Sequence, residues 1–127
     1  VTTTHADPAA FIQKFFTDFT TTALDPQADP ASVVDRFHTV DVLEIADGVT
    51  IDRDRLIAHL GPIRKNLEDF TVEVHEAVAV GDRVAARFTI HAVMRDRRVE
   101  TEVGFFGQFA PDGRLRRSHQ VTRVVPG

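Results

Sequence analysis

The chain reads as an α+β domain, a curved antiparallel sheet closed by helices around an apolar interior. Two observations carry that reading. Val84, Ala86, Phe88, Ile90, Ala92 and Met94 recur at a period of two, and so do Val99, Thr101, Val103, Phe105, Gly107 and Phe109. Successive side chains of a strand point to opposite faces, so each stripe is one face of one strand. The residues between them are mostly polar: Arg87, Thr89 and His91, then Glu100, Glu102 and Gln108. That is the pattern of long antiparallel strands with one apolar and one wetter face. The second observation is that the N-terminal half, with Phe11, Ile12, Phe15, Phe16 and Phe19 at helical spacing, is the only segment able to cover the stripes. Such an architecture favours a small-molecule pocket without naming the molecule.

The elements follow in order. Residues 1–6 read as a frayed start. Asp7-Pro8 is an N-cap followed by proline at the first helical position, opening a helix that runs to about Leu24. Asp29-Pro30 repeats the signal, and Val33, Val34 and Phe37 give a short second helix. Val42–Ala46 is a short strand ending in the Asp47-Gly48 turn. Asp52 or Asp54 caps a third helix with Leu56, Ile57, Leu60 and Ile63 on its apolar side, and Gly61-Pro62 is expected to kink or end it. Residues 70–80 alternate, with Phe70, Val72, Val74, Val78 and Val80 on one face. Gly81-Asp82 turns into the first stripe, Arg95–Arg98 joins the two stripes as a hairpin, and Ala110-Pro111-Asp112-Gly113 turns into a last strand over 114–125.

At 127 residues the chain is one domain, 1–127, long enough for a single core. The net charge is −4, with both signs mixed along the sequence. Two arginine groups (Arg95, Arg97, Arg98 and Arg114, Arg116, Arg117) have no aromatic residues between them, which speaks against nucleic-acid binding. Cysteine is absent, so neither a disulfide framework nor thiolate chemistry is available; tyrosine and tryptophan are absent too. No run reaches transmembrane length and no signal peptide is visible, so no membrane association and a cytoplasmic location are expected. No Gly-rich phosphate loop, nucleophile elbow or histidine pair at metal-ligand spacing occurs, and neither a cofactor nor a metal is expected.

The stretches VVDRFHTVDVLEIADG (33–48), DRDRLIAHL (52–60), VAVGDRVAARFTI (78–90) and FAPDGRL (109–115), with the Phe-rich first helix, resemble the nuclear-transport-factor-2-like superfamily, in particular its SnoaL-like polyketide cyclase and ketosteroid isomerase branches. The likeness covers about residues 8–125. It implies a cystatin-like α+β barrel: a cone-shaped, strongly curved mixed sheet wrapped around a long N-terminal helix, with a pocket at the wide end. It further implies a small apolar organic ligand of polyketide or terpenoid type, acid–base chemistry such as isomerisation, cyclisation or dehydration, and a homodimer through the outer sheet face. The fold also hosts non-catalytic binders, so fold alone does not settle function. The ketosteroid isomerase base falls near Glu44–Asp47, their buried neutral acid falls at Phe105, and their tyrosine has no counterpart. Steroid isomerase activity is therefore rejected. The carboxylate and aromatic that SnoaL-like cyclases carry late in the last strand fall near Arg123 and His119.

The candidate catalytic residues are Glu44, His119, Arg123 and Asp47. Glu44 sits in an apolar run, where desolvation would raise its pKa toward that of a general base working near neutrality; alternation leaves open whether Glu44 or its neighbours Leu43 and Ile45 face inward. His119, Val121 and Arg123 share one face of the last strand, and Ser118, Gln120 and Thr122 share the other. The apolar content favours the first set as pocket-lining and the family likeness the second. Inside, His119 would be an acid or orienter and Arg123 an anion stabiliser. Asp47 beside Gly48 reads equally as a turn former. Phe15, Phe19, Ala86, Phe88, Ile90, Val103 and Phe105 are expected to line the pocket or pack directly behind it. His38 reads as a cation at a helix C-terminus, His59 as solvated, and His75 and His91 as outer-face residues. Gly104 and Gly107 read as a bulge or a close approach by another backbone.

Overall fold

The computed structural model describes residues 7–126, so the frayed start read at residues 1–6 lies outside the described residues. Three helices, α1 (Pro8–Ala23), α2 (Pro30–Phe37) and α3 (Arg53–Asn66), accompany six strands: β1 (His38–Ala46), β2 (Val49–Asp52), β3 (Leu67–Val80), β4 (Arg83–Met94), β5 (Arg97–Phe109) and β6 (Leu115–Val124). Each helix opens on an aspartate whose carboxylate satisfies an otherwise unpaired backbone N–H. Asp7 accepts from Ala10 at 3.0 Å, Asp29 from Ser32 at 3.0 Å and Asp52 from Arg55 at 3.0 Å. No helix among the described residues is long and apolar enough to cross a membrane.

The strands form one mixed, curved and open sheet in the order β2-β1-β6-β5-β4-β3. β1 and β6 are parallel; every other pair is antiparallel. Helix α1 lies across the inner face against β3, where the Gln13 side chain donates to the Val72 carbonyl at 2.6 Å. Both apolar stripes face inward, with Val84, Phe88, Val103, Phe105 and Phe109 almost fully buried. Phenylalanines of α1 meet them edge to face: Phe11 on Phe109 at 4.8 Å between ring centroids, Phe15 on Phe109 at 5.3 Å, Phe16 on Phe105 at 5.4 Å. This geometry sets the positive ring edge against the negative ring face. A second apolar cluster, with Val33, Val34, Val42, Leu56 and Leu60, fills the space between α2, α3 and β1.

Four local readings need correction. β2 pairs with the end of β1 across the Asp47-Gly48 turn, a hairpin arm too short to show alternation. Pro62 does not end α3, which continues to Asn66. Pro62 is exposed, so the carbonyl deprived of a donor lies on the solvent side, and the turn beyond it is clamped by Arg64, which donates to the carbonyls of Ala23 and Ala28 at 2.7 Å each. In β3 a bulge between Val74 and Glu76 reverses the face halfway along the strand. Phe70, Val72 and Val74 pack inward, but beyond the bulge it is Ala77 and Ala79 that do so, leaving Val78 and Val80 outside. Finally, Gly104 and Gly107 mark no bulge, since β4 and β5 pair in unbroken register. They make room for side chains: a Cβ on Gly107 would stand 2.5 Å from the Phe105 ring, and one on Gly104 would stand 3.2 Å from Val121.

Candidate active site

The pairing registers decide which face each candidate occupies. Phe105 and Gly107 are buried on the inner face of β5. β6 sets Gln120 opposite Phe105 and Ser118 opposite Gly107. The parallel β1 sets Glu44 beside Ser118 and Ala46 beside Gln120. Glu44, Ser118 and Gln120 therefore all point into the cone, and Leu43 and Ile45 point out.

Glu44 is 7% exposed. Its Oε1 accepts from the Ser118 hydroxyl at 3.0 Å and from the Gln120 side-chain amide at 3.1 Å. Its Oε2 faces Nε2 of His38 at 3.8 Å, beyond hydrogen-bond length. Burial pushes the Glu44 carboxyl above its ordinary range, and the two donated hydrogen bonds oppose that rise only in part.

His38 is the residue that sequence reasoning placed correctly and charged wrongly. It does cap the C-terminus of α2, where its Nδ1 bonds the Val34 carbonyl at 2.9 Å. A carbonyl only accepts, so Nδ1 carries the proton. The residue is 2% exposed, with the rings of Phe15 and Phe19 at 6.0 and 4.9 Å. Burial pulls its pKa down to about 4, against smaller opposing effects of the Val34 carbonyl and Asp35, so at neutral pH it is an uncharged imidazole. Its position just ahead of the expected strand 42–46, six residues before Glu44, was the available signal; the structure extends that strand back to His38. The two side chains meet where β1, pairing in parallel with β6, carries an irregularity between His38 and Leu43.

The other three catalytic candidates are not brought to this cluster. His119 stands opposite Phe106 on the outer face and is exposed. Arg123 is on the same outer face, where its guanidinium binds Glu102 across the strand pair at 2.6 and 2.9 Å. The apolar content of β6, Leu115 and Val121 above all, misleads here because Val121 is exposed and a register shift between Leu115 and Arg117 puts the buried Leu115 on the inner face although it shares the parity of His119. Asp47 is the turn former: at φ +50° its carboxylate accepts from the backbone N–H and hydroxyl of Thr122 at 2.8 and 2.5 Å, tying the turn to β6. Those bonds hold its pKa below the usual carboxylate range.

A cavity of about 230 Å³ opens between the end of α1, the end of α3 and strands β3, β4 and β5. Phe19, Thr20, Ile63, Phe70, Ile90 and Thr101 are among its walls, and no charged side chain is. Of the predicted pocket residues, Phe19 and Ile90 line it, while Phe15, Ala86, Phe88, Val103 and Phe105 pack in the core behind. Phe19 is shared, with its ring on the cavity and also against His38, so the polar cluster lies behind that wall. A second concavity of about 400 Å³ lies on the outer sheet face, bounded by Leu43, Val78, Val80, Phe106 and His119. His75 and His91 are outside as well: His75 bonds the Thr89 hydroxyl at 2.7 Å, and His91 sits between Glu73 and Glu100 at 2.9 and 3.4 Å. Among the described residues no three His, Asp or Glu side chains converge as metal ligands do.

Comparison with known proteins bears on the fold and the family. No curated protein sequence matches the chain. Among solved structures, PrhC from Penicillium brasilianum superposes with a TM-score of 0.74 at 12% identity, covering 95% of this chain and 83% of that one. IdmH of Streptomyces antibioticus, proposed to be a polyketide cyclase, gives 0.67 at 16% identity over 91% of both chains. An LEH-like epoxide hydrolase of M. tuberculosis gives 0.66 at 18%, covering 91% of this chain and 85% of its own. At these identities the likeness is one of fold. The profile of the SnoaL-like domain matches residues 22–118, from the end of α1 to Ser118. The chain thus belongs to the SnoaL-like domain family, within the nuclear-transport-factor-2-like superfamily.

Proposed function

We propose that this protein is a pocket enzyme that moves a proton on a small, uncharged, largely apolar substrate, with Glu44 as the acid–base group. Isomerisation, cyclisation or dehydration of a polyketide- or terpenoid-like compound is the reaction class. The observation that carries the reading is the buried Glu44 carboxylate on the inner face, held by Ser118 and Gln120 and raised in pKa by desolvation. A carboxyl tuned upward toward neutrality is suited to exchanging protons at physiological pH. The cavity walls favour an uncharged substrate, because Thr20 and Thr101 offer only hydroxyls. At about 230 Å³ it suits molecules smaller than a typical drug, whose sites run from roughly 300 Å³ upward. The reading requires the Phe19 ring to turn aside so that a molecule in the cavity meets Glu44.

The test is to titrate the isotopically labelled protein with a panel of small cyclic ketones, alcohols and epoxides and follow amide and methyl shifts. Saturable changes at Phe19, Ile90 and Thr101 that extend to Glu44 and Ser118 support the reading. Changes confined to the outer sheet face would overturn it. A non-catalytic binder with the same cavity is the second reading, favoured by the absence of charge from the cavity walls.

We also propose that the protein is a homodimer through the outer sheet face. Val80, Val78, Phe106 and Val121 are 80, 66, 65 and 59% exposed there, a concentration of apolar surface that usually marks an interface. The β3 bulge is what turns Val78 and Val80 outward. A standard interface of about 800 Å² per partner would cover this face. Light scattering at tens of micromolar is expected to show a dimer for the native chain and a monomer for Phe106→Glu; a native monomer would refute the assignment.

A further inference from the structure

We propose that His38 and Glu44 hold one proton between them, seated on Glu44 Oε2 or on His38 Nε2, and that His38 is a positioning residue which sets whether Glu44 acts as acid or as base. This rests on the reading of Glu44 given above.

The Val34 carbonyl occupies the Nδ1 proton, which leaves Nε2 of the neutral imidazole as a lone pair. Ser118 and Gln120 both donate to Oε1, so neither serves Oε2. The lone pair of Nε2 and the oxygen Oε2 then face each other at 3.8 Å inside an apolar wall. Two acceptors without a proton repel; with one proton they attract. A proton on Oε2 makes Glu44 a neutral acid beside a neutral imidazole. When it moves, the O–H bond breaks at Oε2, an N–H bond forms at Nε2, and a carboxylate beside an imidazolium results with the total charge unchanged. In the first state Glu44 can give a proton to the substrate, and in the second it can take one. A single pair could thus serve both halves of a reaction that begins and ends with the same number of protons, as an isomerisation does. The move needs the gap to close by about an ångström, to ordinary hydrogen-bond length. Glu44 is pinned through Oε1 only, which leaves Oε2 free to swing.

The surroundings suit a shared proton. From α1 the rings of Phe15 and Phe19 face the imidazole. From α2 comes Asp35, whose carboxylate is engaged by Arg53 at 2.7 and 2.9 Å. From the turn before β6, Arg114 reaches the His38 backbone carbonyl at 3.5 Å, and from β6 itself Ser118 is neutral. Burial lowers His38 and raises Glu44, which removes the preference for the imidazole that the two groups have in water.

The experiment is an NMR titration of the intact protein with ¹⁵N-histidine and ¹³C-carboxyl labels. The expected result is a neutral His38 protonated on Nδ1, whose ring signals and the Glu44 carboxyl signal both respond at the same two midpoints, the mark of a coupled pair. In His38→Asn the side-chain amide still serves the Val34 carbonyl while Nε2 is gone. Glu44 is then expected to titrate in one step, with its midpoint lower by at least about one pH unit. Independent midpoints in the native protein, or a neutral His38 protonated on Nε2, would overturn the proposal. So would an unchanged Glu44 midpoint in a folded His38→Asn. The native titration stands even if no variant folds. None of these readouts uses turnover, so they can fail while Glu44 remains the acid–base group, or hold for a protein that proves to be a binder.

Discussion

Glu44→Gln is expected to lower turnover by about a hundred- to ten-thousand-fold, the usual contribution of a positioned acid–base group, while leaving ligand affinity within a small factor of the native value. The substitution suits the site. Glutamine has the same length, and its amide oxygen still accepts from Ser118 and Gln120. Its amide nitrogen can donate toward His38 Nε2, so the fold has no reason to relax. What it cannot do is gain or lose a proton. A loss confined to kcat identifies a group needed in the transition state rather than in binding. Two comparisons sharpen the result. His119→Ala and Arg123→Ala alter only the outer face, so turnover is expected to stay at the native level in both. Full turnover in Glu44→Gln with ligand still bound would leave the protein a binder.

The parts of this architecture visible in the sequence are those written in periodicity and capping. The stripes of β4 and β5 pack inward as alternation predicts, because each strand is long and a register error would expose a whole face. The Asp-Pro starts of α1 and α2 behave as the capping chemistry requires. Where a bulge intervenes, alternation fails: it put Val78 and Val80 with Phe70 and Val72, although one extra residue at His75 reverses the face. The site was less visible for a related reason. β1 and β6 alternate between polar and apolar residues on both faces, so hydropathy could not say whether Ser118 and Gln120 or His119 and Arg123 point inward. The answer lies in their pairing with β5, a relation between segments rather than a property of either. His38 shows the same limit. Its place at the end of a helix was readable, but its loss of charge depends on Phe15 and Phe19 closing over it.

The stability of Glu44→Gln and of His38→Asn is expected to change with pH in opposite senses relative to the native protein. The carboxyl of Glu44 titrates higher in the folded state than in the unfolded chain, so the folded state binds that proton more tightly. The stability this confers is present below the unfolded value near 4.5 and is lost as pH rises through the folded one. Once pH rises through the folded value the pair gives up its proton, and the native protein then bears the cost of a buried charge that a neutral glutamine side chain does not carry. Glu44→Gln should gain stability over the native chain as pH rises through the folded Glu44 value, and that advantage should vanish as pH falls toward 4.5. His38 is the mirror case. Its folded pKa of about 4 lies below the ordinary 6.5, so protonation favours the unfolded chain, and stability drains away as pH falls from 6.5 to about 4. At about 1.4 kcal/mol per pH unit this amounts to roughly 3 kcal/mol, which His38→Asn is spared at that position, less the part of the low-pH stability lost with the lowered Glu44 midpoint. Urea unfolding of the three proteins at intervals between pH 4 and 8 measures both differences directly. In the native protein the two effects oppose one another over the same pH range, since the unfolded chain gains a proton at His38 while the folded one gains it at Glu44. Curves that run parallel for all three proteins would show that neither group is desolvated as described. Crossing curves would show that the cluster costs stability near neutrality, as expected of groups kept for chemistry rather than for packing.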